Sequence, residues 1–133
     1  MTQMTKAPLG QHPGPLIKRI ESGLPFSELE TLGKSLDLSL IALSYLVDIA
    51  PATLHRRKKA GHLQVQESDR VVRYERLFSQ AAHIFGSDDQ ALGWLKSPQR
   101  GLGGSVPLEY ARTEVGAREV EKLLGRIDYG VYS

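Results

Sequence analysis

Four residues, DIAP at positions 48–51, constrain the fold more than any other part of the chain. Before them, apolar side chains recur at helical spacing over residues 40–47, behind Ser39 as an N-cap. After them, a second helix is predicted to begin at Pro51 and to end at Gly61. Because so short a link keeps the two helices in contact, this spacing indicates a helix-turn-helix.

The stretch IALSYLVDIAPATLHRRKKAG, residues 41–61, is similar to the repressor-type helix-turn-helix. It has a small residue inside the first helix (Ser44), an apolar residue just after the turn (Ile49) and an apolar anchor in the second helix (Leu54). Two positions differ from that pattern. Asp48 stands where glycine is favoured, although Asp tolerates a left-handed backbone, and Ala50 replaces the usual hydroxyl N-cap.

The second helix of this motif is strongly basic. If Leu54 faces inward, a rotation of about 100° per residue places a basic face outward. The candidate DNA contacts are Ala52, Thr53, His55, Arg56, Arg57 and Lys59. In a major groove, arginine reads guanine edges and lysine neutralises phosphates. The alternative is a solvated charged helix in a domain that only packs.

The rest of the chain also shows helical periodicity, so the predicted fold class is all-α. A flexible arm is expected at residues 1–14, a helix-turn-helix bundle at 15–64, and a long connecting helix with a small C-terminal domain at 65–133. The long helix, over residues 66–85, has a wide apolar surface that either bridges two bundles or meets its own copy in a dimer. Its Arg70, Arg73 and Arg76 are expected to form a solvated stripe, with contact to DNA or a partner as the alternative.

Two further capping residues and an unusual C-terminal segment are predicted. Asp88 is expected to cap a short helix over residues 89–96, and Thr113 to cap the last helix. Gly125 is expected to weaken the end of that helix and to release residues 128–133 as an extended tail. Terminal residues are usually polar, yet Tyr129 and Tyr132 are aromatic, so we expect the tail to bind a partner; the alternative is that both fold back onto their own domain.

Composition argues for a binding protein and against an enzyme. The chain has no cysteine, its four histidines are scattered, and its serines lack a nucleophile elbow. The glycine-rich GLGG at 101–104 lacks the Lys-Ser/Thr of a phosphate-binding loop. No catalytic residues, metal or cofactor are therefore expected. With no signal-peptide pattern and no apolar run near the roughly 20 residues that span a bilayer, we expect a cytoplasmic protein.

Several stretches carry a resemblance to one family. They are FSELE at 26–30, APATLHRRKKAG at 50–61, ESDR at 67–70, WL at 94–95, LGG at 102–104, PL at 107–108, and GAREVE at 116–121 followed by RI at 126–127 and YGV at 129–131. Together they resemble Xre-type antitoxins of the Xre/MbcA/ParS toxin-binding group, the partners of RES-domain toxins. The last set is the most specific.

The resemblance implies an all-helical antitoxin of a type II toxin–antitoxin module. Its N-terminal part would bind operator DNA and repress its own operon, and its C-terminal domain would bind the toxin. RES toxins act on NAD, consuming it or transferring ADP-ribose, and the antitoxin covers the entrance to that pocket. The toxin-binding residues implied here are Arg126, Ile127, Asp128, Tyr129, Gly130, Val131, Tyr132 and Ser133.

The expected partners are thus a RES-domain toxin, operator DNA and a second copy of the chain within a hetero-oligomeric complex. The alternative function is a stand-alone helix-turn-helix transcriptional regulator whose C-terminal domain only dimerises.

Overall fold

A computed structural model of the protein describes residues 13–130, which form helices joined by short links. The α-helices are α1 (Gly14–Ser22), α2 (Phe26–Leu36), α3 (Leu40–Leu46), α4 (Pro51–Ala60), α5 (Val65–Phe85), α6 (Asp88–Leu95), α7 (Pro107–Tyr110) and α8 (Glu114–Asp128), with a 3₁₀ turn at Arg100–Leu102. Within these residues there is no strand, only two isolated bridges. The predicted all-α fold class is confirmed. Residues 1–12 of the predicted arm lie outside the described part.

The chain divides into two compact units, one ending at Val72 and the other beginning at Arg73, so the division falls inside α5. The domain limits drawn from the sequence stay a prediction. Over residues 13–130, none of the helices is both long and apolar enough to cross a membrane.

The core of the first unit is built mainly from leucines on α2 and α3. The fully buried ones include Leu29, Leu32, Leu36 and Leu43, and each contributes about 1.5–3 kcal/mol relative to an exposed position. The link after α4 lies against the link before α2, because Leu63 N–H donates to Leu24 O at 2.9 Å.

The first turn of α5 is fixed by a carboxylate. Glu67 Oε1 accepts from Gln64 N–H at 2.8 Å and from Arg57 Nε at 2.8 Å. Burial raises the pKa of Glu67, but the hydrogen bonds from Arg57 and Gln64 outweigh it and leave that pKa below its ordinary value. The same contact raises the pKa of Arg57. The pair is therefore ionised at neutral pH and joins the end of α4 to the start of α5.

The arginines of α5 differ from the predicted solvated stripe. Arg70 Nε donates to Val47 O at 2.6 Å, and Arg73 Nη1 donates to Arg112 O at 3.0 Å. Only Arg76 is exposed. The prediction is wrong for Arg70 and Arg73, because the carbonyls they reach belong to links that are distant in the sequence.

The second unit packs α8 against the segment before it. The buried face of α8 carries Ala117, Val120, Leu123 and Leu124. Tyr74 of α5 donates its hydroxyl to Leu108 O at 2.8 Å. Trp94 lies 5.7 Å from Phe85, ring centroid to ring centroid, as a packing residue.

The predicted helix caps can be compared directly with those in the structure. Ser39 and Thr113 cap α3 and α8 as predicted. Ser87, and not Asp88, caps α6, and Asp88 is instead the first residue of that helix. Residues 128–130 do not form the extended tail that was predicted, since α8 continues to Asp128 and Tyr129 keeps a helical backbone; residues 131–133 lie outside the described part. Packing on the buried face overrides the weak intrinsic helix propensity of Gly125.

We expect Gly116→Ala to destabilise the second unit. A Cβ at position 116 would lie 1.7 Å from Tyr110 O, which is backbone and cannot move aside easily. Overpacking of this kind costs about 1–3 kcal/mol. The matched control is Gly125→Ala on the same helix, where a Cβ meets nothing within 4 Å, and which should stabilise by about 0.5–1 kcal/mol. Urea unfolding measures both; equal stabilities would contradict the expected clash.

We also expect the Arg57–Glu67 pair to make stability depend on pH. Because the pKa of folded Glu67 lies below its ordinary value of 4.5, its contribution is fully present above that value and is lost as the pH falls through the lower folded value. Glu67→Gln should therefore cost about 2 kcal/mol near pH 7, and this difference from wild type should vanish in acid.

The free energies of unfolding of the two proteins, measured in urea from neutral pH to about pH 3, test this. The control is Glu119→Gln, which disturbs a pair with Lys122 whose side chains are 45% and 65% exposed and should change stability by less than about 1 kcal/mol. A difference between wild type and Glu67→Gln that is independent of pH would contradict the assignment.

Candidate functional site

The turn between α3 and α4 is tight and held from both sides. Asp48 adopts a left-handed backbone with φ of 57°, as its tolerance of that region predicts. Ile49 N–H donates to Ser44 O at 2.9 Å, which brings the chain close over the small, buried Ser44. Arg70 holds the carbonyls of Val47 and Asp48, at 2.6 and 3.4 Å. The helix-turn-helix geometry predicted from the spacing is thus present.

Helix α4 presents the basic face that its sequence predicts. Leu54 is buried. The exposed candidates are Ala52, His55, Arg56 and Lys59, and the half-buried ones are Thr53 and Arg57. Arg56 Nη2 donates to Thr53 Oγ1 at 3.2 Å, so this guanidinium lies along the helix surface.

Lys58, which the sequence prediction omitted, is exposed in the last turn of α4 beside Lys59. Cations at the C-terminal end of a helix interact favourably with the helix dipole. Because both side chains are exposed, they remain available for an anionic ligand. Ala50 offers no side-chain cap at the other end.

Arg57 stands apart from its basic neighbours. Its side chain is 19% exposed and its Nε donates to Glu67, whose side chain is 9% exposed. Glu67 lies at the start of the predicted long helix, but no role for it was predicted from the sequence. The available signal was its position three residues after Gln64, which is that of the acidic member of a capping box.

Charge is distributed unevenly between the two units. Nine basic and seven acidic side chains precede residue 73, and residues 73–133 contain eight of each, so the whole net charge of +2 belongs to the first unit. Four of those nine cations are consecutive, at Arg56, Arg57, Lys58 and Lys59. The first unit is therefore the one suited to a polyanion.

The end of α8 carries the most exposed large apolar side chain among residues 13–130. Tyr129 is 84% exposed and keeps a helical backbone. Gly130 follows with φ of 73° and donates its N–H to Ile127 O at 3.0 Å. Arg126 and Asp128 are exposed and Ile127 is half-buried. Since Tyr129 faces solvent, the alternative that it folds back onto its own domain is wrong.

Three of the residues implied by the resemblance, Val131, Tyr132 and Ser133, lie outside the described part of the chain. Other exposed apolar side chains were not singled out from the sequence. The most exposed of these are Ile41 and Tyr45, one helical turn apart on α3, and Val115 in the first turn of α8. Rotation about each helix, away from the buried Leu43 and Val120, would have placed them on the solvent side.

The described residues contain no group of three or more His, Cys, Asp or Glu side chains that could hold a metal ion.

Two family models match the chain, one on each part. Residues 15–76 match the antitoxin Xre-like helix-turn-helix domain, and residues 80–130 match the antitoxin Xre/MbcA/ParS C-terminal toxin-binding domain. Together they account for most of the chain. Both models describe antitoxin domains and not enzymes, which confirms the expectation from composition.

Curated relatives give the same result. An antitoxin Xre of Yersinia enterocolitica is 39% identical over 79 residues, which are 59% of this chain and 53% of the relative. One of Photorhabdus laumondii is 40% identical over 74 residues, 55% of this chain and 50% of the relative. One of Pseudomonas putida is 34% identical over 68 residues, 51% of this chain and 43% of the relative.

The matched part spans about half the length of these curated relatives. Because both domain models and these relatives are antitoxins of this type, the chain belongs to the Xre-type antitoxin family.

Proposed function

We propose that this protein is the antitoxin of a type II module that neutralises a RES-domain toxin and represses its own operon. The observation that carries the proposal is Tyr129, 84% exposed at the end of α8 and inside the segment that matches a toxin-binding domain. The RES class of the toxin, and its action on NAD, rest on the resemblance of residues 116–131 to that family.

In the proposed mechanism, residues 126–133 cover the entrance to the toxin's NAD pocket. A tyrosine supplies a large contact area with few rotatable bonds, which is why aromatic residues dominate binding energy at interfaces. The packed face of α8 supports this role, since Leu123 and Leu124 are buried and fix the rotation of the helix just before its last turn. Pre-organisation of this kind lowers the entropic cost of binding.

The proposed DNA contact is the exposed face of α4. Ala52, His55, Arg56 and Lys59 would face a major groove, with Thr53 on the flank and Arg57 at the inner edge, where its guanidinium is committed to Glu67. Arg56 is the candidate for base recognition, because its hydrogen bond to Thr53 is between exposed groups and costs little to exchange. Lys58 and Lys59 would neutralise phosphates.

We further propose that two copies bind one operator, because helix-turn-helix proteins generally read paired half-sites as dimers. The copies would belong to a hetero-oligomeric complex with the toxin. Binding to operator DNA would take place in the cytoplasm, the location expected from the sequence.

Tyr129→Ala should weaken toxin binding by about 30-fold, the loss expected for an aromatic hot spot of roughly 2 kcal/mol. The measurement is titration calorimetry with a RES-domain toxin, purified as a catalytically inactive variant. Val115→Ala is the matched control, since Val115 is also highly exposed, at 73%, but lies at the other end of α8. The tail proposal is wrong if both variants bind equally well.

Deleting residues 127–133 should abolish rescue of growth when the toxin is co-expressed, because it removes the covering segment. Operator binding should stay intact, which also shows that the first unit remains folded. Full neutralisation by the truncated chain would contradict the proposed mechanism.

Arg56→Ala should weaken binding to the DNA upstream of its own gene by about tenfold or more, the usual discrimination from one arginine–guanine contact, and should leave toxin binding unchanged. Arg76→Ala is the control, since Arg76 is an exposed arginine outside α4. Fluorescence anisotropy with a labelled duplex measures both. Equal operator affinity for Arg56→Ala and wild type would remove Arg56 from the reading surface.

A further inference from the structure

We propose that Arg57 is a positioning residue of the DNA-binding helix: through Glu67 it holds the end of α4 against the start of α5 and orients the reading face, without itself contacting DNA. This inference rests on the proposed binding of DNA by α4. Of the four consecutive cations, Arg57 would position the helix, whereas its three neighbours would contact DNA.

The four consecutive cations of α4 differ in their exposure to solvent. Arg56, Lys58 and Lys59 are exposed, whereas the Arg57 side chain is 19% exposed and donates from Nε to Glu67 Oε1 at 2.8 Å. The pair thus lies where the inner edge of α4 meets the start of α5, away from the exposed face that Arg56 and Lys59 share.

The Glu67 carboxylate is fixed in place, so it cannot move with Arg57 toward the protein surface. The same Oε1 accepts from Gln64 N–H at 2.8 Å. The neighbouring Ser68 hydroxyl donates to Gln64 O at 2.8 Å and accepts from Leu24 N–H at 2.8 Å. The carboxylate is therefore fixed to a backbone that is itself hydrogen-bonded to the link before α2.

Two partners compete for the Arg57 guanidinium, namely the Glu67 carboxylate and a DNA phosphate. If Arg57 left Glu67 for a phosphate, a largely buried carboxylate would lose its charged partner, which is strongly unfavourable. A phosphate contact at the protein surface is screened by salt and gains less. The pair is therefore retained when DNA binds.

The Arg57–Glu67 contact fixes the rotation of α4 about its own axis. Within this helix only Leu54 is buried, so a single apolar anchor fixes its rotation weakly. The Arg57–Glu67 contact adds a second point three residues later, on the last turn. Two anchors along one helix define its rotation, and with it the direction in which Arg56 and Lys59 point.

The test is a set of variants that separates positioning from phosphate contact. Arg57→Met and Glu67→Gln should each weaken binding to the DNA upstream of this gene by about fivefold, and the double variant should be no weaker than Arg57→Met alone, because both changes break one contact. The slope of log K against log salt should stay as in wild type for Arg57→Met. Lys59→Met, the matched removal of a charge from the same helix, should reduce that slope by about 0.9.

Direct contact of Arg57 with DNA gives the opposite results. Arg57→Met would then reduce the salt slope by the same amount as Lys59→Met. Glu67→Gln would tighten binding, since it removes a negative charge and frees the guanidinium. Either result overturns the proposal.

A readout without DNA distinguishes this inference from the proposed function. In the free protein, the Arg57 Nε proton should be slow to exchange with solvent by NMR, and Glu67→Gln should speed both its exchange and that of the backbone amides at the end of α4. Rapid exchange of that proton in wild type would overturn the proposal. Absence of DNA binding by wild type with a protected Nε proton would instead overturn the repressor function, and with it the orienting role of the pair.

Discussion

One helical turn near the start of α5, residues 67–70, holds in place three segments that are far apart in the sequence. Glu67 binds Arg57 at the end of α4, Ser68 accepts from Leu24 N–H before α2, and Arg70 donates to Val47 O in the turn before α4. Links between short helices carry backbone groups that need partners when water is excluded. Because one helical turn supplies these partners, the geometry of the helix-turn-helix depends on α5 as much as on its own two helices.

The same turn accounts for an unusual residue in the motif. Asp48 occupies a left-handed position where glycine is favoured, at a cost of roughly 1 kcal/mol. The Arg70 guanidinium donates to the carbonyls of Val47 and Asp48, which flank the α-carbon of Asp48 on either side. Charged hydrogen bonds to these carbonyls offset the strain. The departure from glycine therefore leaves the turn intact, and the motif retains the geometry that DNA binding requires.

What the sequence predicts well is local. Ser39 and Thr113 were identifiable as caps because a cap bonds to an amide three residues away, and Leu54 was identifiable as an anchor because helical rotation is regular. The partners of Arg57 and Arg70 were not predictable, since they lie 10 and 23 residues away across links whose path no propensity gives. At the end of α8, tertiary packing overrode the low helix propensity of Gly125.

The two units are suited to partners of different chemistry. The first carries all of the net charge and a run of four cations, so its proposed affinity for DNA comes largely from displaced counterions and falls with salt. The second is neutral overall, and its proposed contact, Tyr129, offers apolar area whose burial depends little on salt. Helical geometry keeps that area free: Leu123 and Leu124 face the core, and a residue five or six positions later has rotated to the solvent side. The exposure of Tyr129 is therefore a consequence of how α8 packs.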